Sequence, residues 1–297
     1  MPALLLISDR ALAGKTTIAL GLAQKVRSAG HTVALERLGG DAHQQADGAL
    51  FAKFTSGQEP SAADLVIKEA AAGPPAEALD SDPDARVVVV ADAGTPLAGA
   101  AACCNAAAGR LVGLVLNRAP ARRAARLAQS AAEQGLPLIA LIPEDLVLAS
   151  PTLGEVARAL NSQPLFLDSQ ADHPIDNTLI ASISADPAYG YFVHHEANAV
   201  IVRSDKPDLQ LAALSAGAAC LIVTGGLPIL HYVMERAEAD EVPIIPTALD
   251  TIQTVRIIEE MYAATPFSGS REKLARLAAL LADVDISALM PARSPRR

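Results

Sequence analysis

Five short, almost wholly apolar runs punctuate the first half of the chain: "ALLLI" (3–7), "TVAL" (32–35), "VVVVA" (87–91), "LVGLVL" (111–116) and "PLIALIP" (137–143). A run that stays apolar instead of alternating suits a strand buried on both faces. Helical patterns lie between the runs. Ile18, Leu22 and Val26 recur at helical spacing, and Gly30 stops that segment. Strands alternating with helices imply an α/β fold with a doubly wound parallel sheet, which binds its ligands at the carboxyl ends of the strands. Asp9, Arg37, Asp92, Asn117 and Pro143 fall at such ends. Residues 49–56 and 61–72 read as helices, and "GPPAEALDSDPDA" (73–85) reads as a loop.

The alternation restarts in the second half. Strands are expected at 198–204, 219–226 and 242–247, with helices at 208–217, 228–241 and 250–263 and an amphipathic helix over 270–283. This describes a second, smaller α/β domain. The chain is therefore expected to divide into a first domain over 1–165, a linker over 166–180, a second domain over 181–285 and a basic tail over 286–297. A length of 297 residues suits two cores, and 51% apolar content can fill them.

Charge and composition exclude some partners. The net charge is −9, there is no Trp, and only 5 Phe and 4 Tyr occur, so neither a basic stripe nor a stacking platform for nucleic acid is expected. The same balance argues against an anionic membrane surface. No apolar stretch reaches the length of a membrane span, and no basic segment precedes the first apolar run, so a cytoplasmic protein is expected. Cys103, Cys104 and Cys220 form no CxxC pair, and the neighbours His194 and His195 would diverge on a strand or helix. His231 has no partner at metal-binding spacing.

The chemistry concentrates in "SDRALAGKTT" (8–17), between the first strand and the first helix. A phosphate loop needs converging backbone N–H groups, a lysine for the terminal phosphates and a hydroxyl for magnesium. Ala13, Gly14, Lys15, Thr16 and Thr17 match the end of such a loop. The glycine that normally opens it is replaced by Asp9, whose carboxylate must point away from phosphate or meet magnesium.

This stretch, with "LVGLVLNRAP" and "ALIPEDLVLASPTLGEV", resembles the dethiobiotin-synthetase-like P-loop domain. That domain forms the N-terminal part of many bacterial phosphotransacetylases, where loops lacking the first glycine are common. The resemblance implies ATP and Mg2+ as cofactors. It gives Lys15 and Asp92 catalytic roles, and Thr16 and Asp92 the metal. Arg37 stands where relatives carry a lysine for substrate or phosphate, and Asn117 where they recognise the base. Asp92 reads equally well as a cap of the following turn. Asp47 matches a second acidic position or a helix N-cap. Residues 182–262 resemble the DRTGG domain, with the name-giving motif altered to "RSDKPD" (203–208). There, Gly225 and Gly226 suit either a tight turn or an anion cradle.

The combination implies an ATP–Mg-binding regulatory or adaptor protein, with slow ATP hydrolysis compatible with it. An ATP-dependent carboxylate ligase and a structural protein with a lapsed site are the alternatives. No acetyltransferase activity is expected. A protein partner in acetyl-phosphate or acetyl-CoA metabolism and a homodimer are the expected assemblies.

Overall fold

A computed structural model describes residues 2–40, 44–55, 63–71, 73–181, 185–194, 199–264 and 267–290. The chain divides into two units, one of Met1–Asp145 with Leu274–Arg297 and one of Leu146–Lys273.

The first unit runs β1 (Ala3–Ile7), α1 (Lys15–Ser28), β2 (Val33–Arg37), α2 (Gln44–Phe54), β3 (Leu65–Glu69), α3 (Pro75–Asp80), β4 (Arg86–Asp92), α4 (Leu97–Ala107), β5 (Leu111–Ala119), α5 (Ala124–Glu133) and β6 (Leu138–Pro143). Its six strands are parallel in the order β2-β3-β1-β4-β5-β6. Side chains alternate between the two faces, as the pleat requires. Leu5, Ile7, Val87, Val89, Leu114 and Leu116 share one cluster with Ala100, Cys103 and Cys104 of α4. Helix α1 packs on β1, β2 and β3 and contributes nothing to that cluster. Both faces are thus covered, and the expected doubly wound sheet is present.

Two readings are corrected. Residues 73–85 were expected to be a loop, but Pro75–Asp80 is helix α3, opened by a proline at its start. Residues 61–72 were expected to be helical, but Leu65–Glu69 is strand β3, paired on both sides by β1 and β2. A short apolar run surrounded by alanine has no periodicity that separates helix from strand. Strand pairing on both edges decides it, and Leu65 and Ile67 are fully buried there.

The second unit runs α6 (Leu146–Ala149), α7 (Leu153–Ala159), β7 (Thr178–Ile180), α8 (Ala185–His194), β8 (Ala199–Arg203), α9 (Pro207–Ser215), β9 (Cys220–Thr224), α10 (His231–Ala239), β10 (Ile244–Pro246) and α11 (Thr251–Ala264). Its parallel sheet has the order β10-β9-β8-β7. Val200, Val202, Leu221, Val223 and Ile244 face one cluster, and Ala199, Ile201, Cys220, Ile222 and Ile245 face the other. This second sheet is the smaller α/β element that was expected.

The units differ from the expected boundaries in two places. Leu153, Val156 and Leu160, which were assigned to the first domain, fill one face of the second sheet together with Ile175 from the expected linker. A capping box between Thr152 and Glu155 starts α7 there. Residues from Leu274 onward rejoin the first unit, although 181–285 was expected to be one domain. The last helix, α12 (Arg271–Leu280), explains this. Leu277 and Leu281 are fully buried, and each is worth about 2 kcal/mol. A Cβ on Gly21 of α1 would come within 2.5 Å of Leu281 and 2.6 Å of Leu277. Lys25 of α1 donates to the Leu281 carbonyl at 2.7 Å. Of the expected basic tail, residues 291–297 lie outside the described residues.

Candidate functional site

Strand β1 ends at Ile7, and the chain turns through 8–14 into α1. Gly14 has φ +92, a left-handed conformation that suits glycine. A Cβ there would lie 2.1 Å from Nδ2 of Asn117. Leu12 also has a positive φ, +58, and its side chain is exposed.

The hydrogen bonds of this loop are one-sided. Arg118 Nη2 donates to the Leu12 carbonyl, Asn117 Nδ2 to that of Ala13 at 3.1 Å, and the Ile18 amide to that of Gly14 at 3.0 Å. Three successive carbonyls are therefore occupied. Among the described residues, the backbone N–H groups of Leu12, Ala13, Gly14, Thr16 and Thr17 meet no acceptor. Lys15 is only 5% exposed and donates to Ser8 Oγ at 2.7 Å, and that hydroxyl donates to the Arg10 carbonyl at 2.6 Å. Open amides at the positive end of a 14-residue helix, with a lysine beneath them, favour an anion.

The acid facing this loop is Glu69, at the carboxyl end of β3. Thr16 Oγ1 donates to Glu69 Oε1 at 3.1 Å. Glu69 is 3% exposed, and its Oε2 has no hydrogen-bond partner among the described residues. Burial pushes its carboxyl up to about 7. Arg37, Lys15 and the Thr16 bond oppose that rise, and Asp47 adds to it. Arg37 Nε lies 3.4 Å from Asp47 and 4.0 Å from Glu69, and Nη1 donates to the carbonyls of Leu38 and Glu69. Arg37 thus bridges two acids and two carbonyls inside the protein. A cleft of about 350 Å³ lies alongside, lined by Leu35, Arg37, Gly48, Phe51, Ala52 and Thr55.

Asp92 and Asn117 lie at the carboxyl ends of β4 and β5, as expected, and their contacts are with the protein itself. Asp92 accepts from the Arg118 guanidinium and, at 2.7 Å, from the Gly94 amide. Its contacts lead to Arg118 and not to Thr16. Asn117 is buried, and its Nδ2 donates to the Ala13 carbonyl. Asp9 is ion-paired with Arg10 at 3.1 Å, and a Cβ on Gly99 would lie 2.2 Å from its Oδ2. Its carboxylate therefore lies against the start of α4.

Sequence reasoning brought Ala13, Gly14, Lys15, Thr16 and Thr17 to one place, with Arg37 near them. It missed Glu69, Ser8 and Arg118. Glu69 had a signal: an acid ending an apolar run, hidden once that run was read as a helix. Ser8 and Arg118 had none, because their partners are made by the turn and by the neighbouring strand. Among the described residues, no group of three or more His, Cys, Asp or Glu is arranged to hold a metal ion. Thr16 and Glu69 would therefore need ligand oxygens to complete a magnesium site.

The second sheet has its own glycine turn at the end of β9. Gly225 and Gly226 have φ +94 and +69. The Gly225 amide donates to Leu249 at 2.9 Å, Gly226 to Thr247 at 3.1 Å, and Leu227 to Ser204 Oγ at 3.3 Å. These amides are consumed within the fold, so the turn is a tight connection and not an anion cradle. In the altered motif, Arg203 and Asp205 pair with each other at the surface, and that hydrogen bond holds the Asp205 carboxyl below its usual range. His231 pairs with Glu235 at 3.2 Å, and His195 lies outside the described residues. No helix among the described residues is long and apolar enough to cross a membrane.

Comparison with known proteins bears on these units. A 161-residue stretch is 25% identical to the phosphate acetyltransferase of Nitratidesulfovibrio vulgaris, covering 50% of this chain and 22% of that protein. The chain therefore spans about a fifth of that relative's length. Among solved structures, the CBS and DRTGG domains of the regulatory region of Clostridium perfringens pyrophosphatase, complexed with the activator diadenosine tetraphosphate, match at 16% identity and a TM-score of 0.34. That match covers 42% of this chain and 52% of the other. The YdjI aldolase from Escherichia coli K12 matches at 10% identity and a TM-score of 0.20, covering 98% of this chain and 91% of the other. Likenesses this weak fix neither fold nor ligand. Family comparison is more definite, and residues 155–261 match the DRTGG domain: the second unit carries a DRTGG domain.

Proposed function

We propose that the first unit binds ATP with magnesium and that the chain acts as a nucleotide-responsive regulatory or adaptor protein related to the N-terminal region of phosphate acetyltransferases. The observation that carries this is the set of open amides at Leu12, Ala13, Gly14, Thr16 and Thr17 above a buried Lys15. The amides of Ala13 and Gly14 cradle phosphate oxygens, and Lys15 leaves Ser8 to neutralise the terminal phosphates. The hydroxyl of Thr16 and the carboxylate of Glu69 hold the magnesium ion. The orphaned Oε2 of Glu69 supports this, because a buried carboxylate oxygen without a donor suits a cation. Asp92, to which the resemblance gave the metal, pairs with Arg118.

Slow ATP hydrolysis accompanies this reading. A ligase reading gains no support, since Arg37 is committed to Asp47, Glu69 and two backbone carbonyls. Residence in the cytoplasm, a homodimeric state and a partner in acetyl-phosphate or acetyl-CoA metabolism accompany this proposal.

The test is equilibrium binding of ATP with magnesium to the full chain. Wild type is expected to bind, and Lys15→Ala to bind about 10- to 100-fold more weakly, the cost of lost charge-assisted contacts. A wild type that binds no ATP, or a Lys15→Ala variant that binds equally well, removes the proposal. A rise in melting temperature on adding ATP and magnesium gives an independent check.

A further inference from the structure

The geometry points to Asn117 and Arg118 as positioning residues that shape the phosphate loop from outside. This inference rests on reading the loop as a triphosphate site.

A phosphate loop works only if its N–H groups face the anion, and the carbonyls must then face elsewhere. Here two adjacent residues at the end of β5 take the carbonyls of two adjacent loop residues. Arg118 takes that of Leu12, and Asn117 that of Ala13. Both contacts reach across more than a hundred residues of chain, so they belong to the tertiary fold and not to the turn itself.

Three further observations fit. Arg118 itself has φ +57, an uncommon conformation for a non-glycine residue, and Leu12 has φ +58. Such strain persists where the surroundings hold it, and each of these residues is one end of the same hydrogen bond. The Arg118 guanidinium is oriented by Asp92, which is fixed in turn by the Gly94 amide. The Asn117 amide lies so close to Gly14 that no Cβ fits between them. The chain Gly94–Asp92–Arg118–Leu12 therefore sets the loop before any ligand arrives. The role given to Asn117 changes accordingly. It stands beneath the loop and reads no base.

The experiment compares ATP with inorganic triphosphate, which has no base, on the full chain with magnesium. Arg118→Ala and Asn117→Ala are each expected to weaken both ligands by the same factor, about tenfold for one lost hydrogen bond of this kind. Arg118→Lys keeps a charged donor and is expected to recover most of the affinity. Because Arg118 is exposed, its variants leave the core intact. A loss confined to ATP, with triphosphate unaffected, would show that these residues contact the nucleoside and would overturn the inference. Unchanged affinity for both ligands overturns it too. If wild type binds neither ligand, the triphosphate reading fails separately. Backbone relaxation then decides the positioning role: amides 12–14 are expected to be rigid in wild type and mobile in Arg118→Ala, and equal rigidity in both refutes it.

Discussion

Both sheets end in a glycine turn at the carboxyl edge of a central strand, yet the two turns are wired in opposite ways. After β1, the carbonyls of Leu12, Ala13 and Gly14 are bonded and the amides are left open. After β9, the amides of Gly225, Gly226 and Leu227 are bonded to Leu249, Thr247 and Ser204. Glycine with positive φ is common to both. What separates the open turn from the closed one is which half of each peptide the rest of the fold consumes. Neighbouring segments decide that. Asn117 and Arg118 take carbonyls in the first unit, whereas the backbone at 247–249 takes amides in the second.

The sharpest way to break this comparison is to add a methyl group to each turn. Gly14→Ala combines positive φ with a 2.1 Å approach to Asn117, so the first unit is expected to lose about 3 kcal/mol together with ATP binding. Gly226→Ala carries the φ strain but only a 3.3 Å approach to Ala248, so a loss of about 1–2 kcal/mol is expected with ATP affinity unchanged. Denaturant unfolding and ATP titration of both variants check this. Equal loss of ATP binding would mean that the second turn also serves the nucleotide.

Next in size is Glu69, the buried acid that has no counterpart at the second turn. Its carboxyl titrates near 7 in the folded state, against 4.5 as its ordinary value. The folded form thus holds its proton more tightly, and this group's contribution to stability is fully present below pH 4.5. It is lost as pH rises through about 7, by on the order of 3 kcal/mol at most. Glu69→Gln is expected to remove that fall from the stability-versus-pH curve of the nucleotide-free protein. A curve that keeps its slope in the variant would assign the titration elsewhere.

The smallest effect belongs to the closed turn. Thr224 Oγ1 lies 3.0 Å from Thr251 Oγ1. Thr224→Val is expected to cost about 1 kcal/mol and to leave ATP binding untouched. A change in ATP affinity would break the distinction drawn between the two turns.

Much of the first site was legible because its signals are local. "ALAGKTT" carries the loop, the lysine and the hydroxyl within seven residues, and the apolar run before it announces the strand. Arg37 was legible as the last residue of a strand. Glu69 was not, because "LVIKE" has helix-compatible neighbours, and its place beside Thr16 exists only once β3 inserts between β2 and β1. Asn117 was visible as a residue but not as a contact, since the carbonyl it holds lies 104 positions earlier.

The domain limits divide along the same line. The strands of the second sheet could be read from their apolar runs, but not the return of residues beyond Leu274 to the first unit. That return depends on Gly21 being small enough to admit Leu277 and Leu281, a surface match between distant segments. The sequence by itself determined the strand–helix alternation, the parallel doubly wound class and the position of the glycine loop after β1, because burial pattern and turn chemistry act over a few residues. Tertiary structure alone decided which acid faces Thr16 and which peptide groups each glycine turn leaves open. Those outcomes depend on strand order and on side chains arriving from more than fifty residues away.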